Sequence, residues 1–203
     1  SPQLTMPART GSLPSMTVVV PCDAIEAKQA TIASADYPGP VFLRLGRNPV
    51  PVITKASDPF QIGRATRFRD GEDLTLIACG TMVAHALAAA EQLAAEGLQA
   101  RVLNVHTIKP LDLDALIEAA KETGAVVTAE EHTVLGGLGG AVAEVLAQHH
   151  PVPMRFVGVQ DQFGTSGDPA ELLKVFHLMP EDVVKAAKDV LRLKQERVGG
   201  FAR

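Results

Sequence analysis

Arg47 stands in Gly46-Arg47-Asn48-Pro49-Val50-Pro51, just after the apolar run Val41-Phe-Leu-Arg-Leu45, which predicts a strand. A glycine and two prolines make this loop stiff. It presents one guanidinium beyond a strand's carboxyl end, the edge at which open α/β sheets bind ligands. A planar fork of donors there suits bidentate binding of phosphate or carboxylate, and a surface ion pair is the plain alternative. Glu130-Glu131-His132 closes a second predicted strand, so a glutamate–histidine proton-transfer pair is open there. A helix cap or subunit contact is equally open for these three residues. His106 and Lys109 follow a third strand and stand the same way. The glycine run Gly136–Gly140 could offer backbone amides to an anion. Its third fingerprint position is Val142, however, and no Gly-Lys-Ser/Thr follows, so close helix-on-sheet packing is the better reading.

Other chemistries lack their residues. Cys22 and Cys79 have no Cys-x-x-Cys context and read as small core hydrophobes in a reducing compartment. The six histidines show no ligand spacing, and no Gly-x-Ser-x-Gly elbow is present. The net charge of −4 comes without a basic block, so neither nucleic acid nor an anionic membrane is an expected partner. No apolar run approaches the ~20 residues of a membrane span. With no targeting pattern at the amino terminus, the expectation is a soluble, cytoplasmic α/β protein.

The elements that must position these residues follow from periodicity. Asp73 to Val105 reads strand, turn, helix, turn, strand, one crossover unit of a parallel sheet. Leu74, Leu76, Ile77 and Ala78 form a doubly covered strand, and Val83, Ala86, Leu87, Ala90 and Ala94 form a helical stripe. Upstream, residues 1–15 read as loop and Met16 to Val20 as a strand. Asp23-Ala-Ile-Glu26 reads as a capping box opening a helix to about Ala33. Residues 54–72 are polar and turn-rich and read as a linker. Downstream, Asp112 caps a helix closed by Gly124, and Ala125–Ala129 and Pro153–Val159 are strands. Asp168-Pro-Ala-Glu171 is a second capping box, and the last helix starts at Pro180, with a frayed tail from Lys194.

Several of these segments together resemble the carboxyl-terminal part of a transketolase. They are Leu74-Thr-Leu-Ile-Ala-Cys-Gly-Thr-Met-Val83, Arg101-Val-Leu-Asn-Val with Ile108-Lys-Pro-Leu-Asp112, Val127-Thr-Ala-Glu-Glu-His132 with Gly136-Gly-Leu-Gly139, and Phe163-Gly-Thr-Ser-Gly167. Upstream, Leu13-Pro-Ser-Met-Thr-Val, Pro21-Cys-Asp-Ala-Ile-Glu26 and Arg44-Leu-Gly-Arg-Asn-Pro49 resemble the end of that family's pyrimidine-binding domain. The resemblance implies a three-layer α/β/α fold with a mostly parallel sheet, preceded by part of a second α/β domain. Its divisions would be a partial pyrimidine-binding domain over 1–60, a linker over 61–72 and a transketolase C-terminal domain over 73–203.

The function so implied is transfer of a two-carbon ketol unit between phosphorylated ketose and aldose sugars, in the pentose phosphate pathway. The complete enzyme would use thiamine diphosphate and Mg2+. The catalytic groups would lie upstream, so this chain alone would hold no catalytic, cofactor-binding or metal residue and would be inactive. Arg47 matches the arginine that holds the sugar phosphate. The implied partners are an N-terminal transketolase part or subunit and further copies, in a dimer or heterotetramer. By the same resemblance the C-terminal domain serves dimer contacts and touches neither cofactor nor substrate. A 1-deoxyxylulose-5-phosphate synthase and a 2-oxoacid dehydrogenase beta subunit share this tail, and a non-catalytic assembly module is the alternative of another class.

Overall fold

The computed structural model describes residues 10–46 and 49–200. Its elements run β1 (Thr17–Val19), α1 (Ala24–Ala35), β2 (Val41–Leu43), β3 (Thr66–Arg69), β4 (Leu74–Ala78), α2 (Met82–Ala95), β5 (Ala100–Asn104) and β6 (Thr107–Lys109). There follow α3 (Leu113–Thr123), β7 (Val126–Thr133), α4 (Leu138–His149), β8 (Met154–Val159), α5 (Pro169–Val175) and α6 (Pro180–Gly200). A five-stranded sheet has the order β3-β5-β4-β7-β8, parallel except for β3.

Alternation along β4 assigns the layers. Leu74, Leu76 and Ala78 pack with Met82, Ala86, Ala90 and Leu93 of α2 and with Val183, Ala187 and Val190 of α6. Ile77 and Cys79 point the other way, among Leu116 and Ala120 of α3 and Leu138, Val142 and Leu146 of α4. β4 and β5 are buried on both faces, and β7 nearly so, as continuous apolar runs require, while the edge strand β8 is buried only in its second half. The alanines of α2 combine high helix propensity with a thin side chain, which lets the helix lie close on the sheet. The three-layer arrangement is therefore the expected one. The caps also fall where the residue types put them: Asp112 accepts from Ala115 N–H at 3.2 Å, Asp168 accepts from Ala170 N–H at 2.9 Å, and Gly124 closes α3 at φ 64°.

Three expectations change. The polar stretch read as a linker carries β3, whose Phe68 packs into the core while Arg67 pairs with Asp70 and Glu118 at the surface. Thr66-Arg-Phe-Arg69 is a charged edge strand, and its alternation is too short to stand out from loop. Three residues beyond β5, β6 joins a second sheet of order β2-β1-β6, antiparallel to β1. Strands from both parts of the chain thus share one sheet. The last helix continues to Gly200, and Lys194 is tied down, its Nζ donating to the carbonyls of Asp73 (2.9 Å) and Thr123 (2.7 Å). Of residues 1–15, read as loop, Thr10 and Gly11 are helical instead, 12–15 form turns and a bend, and 1–9 lie outside the described residues.

Candidate functional site

The carboxyl ends of β1, β2 and β4 meet around a cavity of about 350 Å³, lined among others by Pro21, Asp23, Gly46, Pro49, Val50 and Thr81. Parallel strands end here and their loops splay apart, as open α/β sheets do at their ligand edge. Arg47 and Asn48 lie outside the described residues, but Gly46 and Pro49, which bracket them, line this cavity. The wall opposite is the start of α2. A methyl group built on Gly46 would touch Thr81 Cγ2 at 3.8 Å. Thr81 is thus a cavity residue from the part of the chain expected to stay clear of substrate.

Two buried carboxylates hold the cavity's base. Asp23 caps α1, accepting from Glu26 N–H at 2.9 Å, and also takes the amides of Ile53 (2.8 Å) and Thr54 (2.7 Å) and the Thr54 hydroxyl (2.7 Å). Burial would raise its carboxyl, but these bonds outweigh that and hold it below the ordinary value. Glu26 reaches back not to Asp23 but to Cys22 N–H (2.6 Å), and its other oxygen accepts from Asn104 at the end of β5 (2.7 Å). The capping box is therefore also a tie to the large sheet.

Glu130, Glu131 and His132 take separate roles. Glu131 accepts the Thr81 hydroxyl at 2.9 Å, and its backbone carbonyl accepts Arg44 Nη2 at 3.0 Å. Glu130 is buried and takes the amides of Leu138 (2.7 Å) and Gly139 (2.8 Å), the free donors of the start of α4. His132 donates Nδ1–H to the Thr133 carbonyl at 2.7 Å and sits 3.7 Å from Glu130. With both glutamate oxygens and Nδ1 engaged in the backbone, Glu130 and His132 are not arranged as a proton-transfer pair. The glycine run answers the same way: its amides face an internal carboxylate rather than a ligand anion. His106 is buried, stacked on Phe60 with centroids 4.4 Å apart, and Lys109 instead binds the carbonyls of Gly11 and Leu13. Burial pushes both cysteine thiols up, which leaves them protonated and inert.

Opposed titrations should make the fold's stability flat in mild acid. Burial pushes Glu130 up to about 7, against its two amide bonds, and pushes His106 down to about 4. A carboxyl raised in the fold binds its proton there first, so it adds stability as pH falls from 7 toward its unfolded value near 4.5. A histidine lowered in the fold does the reverse, losing stability as pH falls from 6.5 toward 4. Glu130→Gln removes the compensating half. The variant's stability, relative to the parent, is expected to fall by roughly 2–3 kcal/mol between pH 8 and pH 5 in urea titrations. Parallel pH profiles for the two proteins would contradict the Glu130 assignment.

Among the described residues no group of three or more His, Cys, Asp or Glu converges on a point. Also among them, no helix is long and apolar enough to cross a membrane.

A three-layer α/β/α unit with a mostly parallel sheet, preceded by strands of a second sheet, is the arrangement implied for the tail of a transketolase. Over residues 63–183 the chain matches the family "Transketolase, C-terminal domain", and it belongs to that family. It is 46% identical over 186 residues to the 6-deoxy-6-sulfo-D-fructose transketolase subunit SqwH of Clostridium sp. (strain MSTE9), covering 92% of this chain and 58% of that protein. It is 40% identical over 182 residues to an apulose-4-phosphate transketolase subunit of Phocaeicola vulgatus, covering 89% and 58%. A solved structure described as a split gene transketolase, inactive beta4 tetramer, matches with a TM-score of 0.92 at 46% identity, covering 94% of this chain and 63% of that chain. The chain thus spans 58% of the length of the two transketolase subunits it matches.

Three features of the site escaped the sequence reading: Thr81 as a cavity residue, Arg44 as its neighbour, and the four-donor load on Asp23. Only Arg44 left a signal, a second arginine three positions before Arg47, near the end of the predicted strand that leads into the same loop.

Proposed function

We propose that this chain is the C-terminal part of a transketolase that moves a two-carbon ketol unit between sugars with an anionic end. It works in assembly with a partner that carries the N-terminal part. In this reading thiamine diphosphate and Mg2+ belong to the assembled enzyme, the isolated chain binds neither and is inactive, and the complex is a dimer or heterotetramer in the cytoplasm. The observation that carries the reading is the cavity at the strand ends, bracketed by the Gly46–Val50 loop within a chain of the transketolase family. Arg47 is the anchor for the sugar's anionic end. A guanidinium suits any tetrahedral oxyanion. Two of the relatives are named for a sulfonated and a phosphorylated sugar, which supports an oxyanion site rather than one restricted to pentose phosphates. Binding energy gathered at that remote end orients the reacting carbons.

Arg47→Ala in the enzyme assembled with its N-terminal partner tests this. The KM for phosphorylated sugars is expected to rise by a factor equivalent to roughly 1.5–3 kcal/mol, the worth of a charged hydrogen bond, with little change for sugars lacking the anionic group. Unchanged kinetics toward phosphorylated sugars would remove Arg47 from the site.

A further inference from the structure

We infer that Glu131 is a positioning residue for substrate, a brace at the end of β7 that fixes both walls of the cavity at once. One arm is its side chain, which accepts the Thr81 hydroxyl at 2.9 Å, and Thr81 lines the cavity at the start of α2. The other is its backbone carbonyl, which accepts Arg44 Nη2 at 3.0 Å, two residues before Gly46 on the facing wall. The walls come from segments 37 positions apart in sequence, Arg44 and Thr81, and Glu131 lies 50 positions beyond Thr81. No local turn could set their separation. A methyl group added at Gly46 would just touch the Thr81 methyl at 3.8 Å, so the walls stand about one methyl group apart there.

The charges fit a brace better than a ligand contact. A carboxylate opening into an oxyanion site would repel the ligand, whereas the Glu131 side chain accepts the Thr81 hydroxyl and its main chain accepts the Arg44 guanidinium, contacts that tie the walls together. Thr81, whose hydroxyl donates to Glu131, turns lone pairs rather than a donor to other neighbours. Glu131 therefore acts through wall geometry. This inference rests on the reading that the cavity receives the anionic end of the sugar, and it assigns part of substrate recognition to the segment following residue 73.

The test uses the enzyme assembled with its N-terminal partner, two donor sugars that differ only in a terminal phosphate, and the variants Glu131→Ala, Glu131→Gln and Thr81→Val. Glu131→Ala and Thr81→Val each delete the brace bond while leaving the Arg44 contact to the main chain. Each is expected to raise the KM for the phosphorylated sugar on the order of 3- to 10-fold, less than the loss of a charged hydrogen bond made to the ligand itself because the brace acts only through wall geometry, with kcat and the plain-sugar KM unchanged. Glu131→Gln keeps an acceptor for Thr81 and restores the parent KM. A loss shared equally by both sugars, a loss confined to kcat, or a Gln variant as poor as Ala would overturn the brace. So would parent-like kinetics in Glu131→Ala and Thr81→Val. Should Arg47→Ala leave the two sugars alike while Glu131→Ala separates them, the anchor assignment falls and the brace stands.

Discussion

Asp23→Ala is expected to lower the free energy of unfolding by about 4 kcal/mol, a large share of what a domain of this size has. The carboxylate is 3% exposed and gathers donors from two distant segments, the first turn of α1 and the irregular stretch at Ile53 and Thr54. Truncation leaves three main-chain amides and a hydroxyl without their acceptor. Charged hydrogen bonds contribute roughly 1.5–3 kcal/mol each, but donors on one carboxylate are strongly non-additive, so the sum falls well below four such bonds. Asp23→Asn should lose about half as much, because its amide nitrogen can face only one side of the cluster without meeting another N–H. Since the folded state holds this carboxyl below its ordinary value, its contribution is complete at neutral pH and disappears as pH falls through the folded pKa, below 3.8. The alanine variant should therefore show a shallower acid transition than the parent. Urea unfolding at pH 7 decides the matter: a loss under about 1 kcal/mol would mean that the donors find other acceptors.

Gly137→Ala should be at least as damaging, on the order of 4 kcal/mol or enough to prevent folding. A Cβ there would land on the Glu130 carboxylate and 2.8 Å from His132 Nδ1. Glu130 cannot swing aside, since both its oxygens are held by the amides of Leu138 and Gly139. Either the start of α4 lifts off the sheet or the carboxylate loses two charged bonds inside the core. The backbone at Gly137 has φ −99°, open to any residue, so the cost is steric alone. Gly140, three residues on and inside the same helix, is the control. Nothing lies within 4 Å of its added methyl, and Gly140→Ala should be neutral or stabilising by about 0.5–1 kcal/mol. Equal thermal midpoints for the two variants would refute this account of the glycine run.

These residues also show how far the sequence could be read. Asp23 is legible as a cap because that bond spans three residues; its hold on Ile53 and Thr54 crosses thirty and leaves no local pattern. The β4–α2–β5 unit was legible because burial on both faces writes a continuous apolar run and a helical stripe. β3 and β6 were not, since three or four residues carry no measurable period and their pairing is decided by partners elsewhere in the chain. The glycine run could be read as packing, but Glu130 as the group it packs against could not, because eight and nine residues separate the carboxylate from the amides it serves. Thr81 and Glu131 are the extreme case: each looks ordinary alone, and only the parallel pairing of β4 with β7 brings them together.

The crossing of β6 into the first sheet has a mechanical consequence. Because β1 is flanked by β2 on one side and by β6 on the other, the two portions of the polypeptide are laced through a common ladder instead of being hung on a flexible strap. Opening and shutting of one portion against the other would require breaking that ladder. The spacing between Gly46 and the start of α2 is consequently set by that ladder rather than by a hinge.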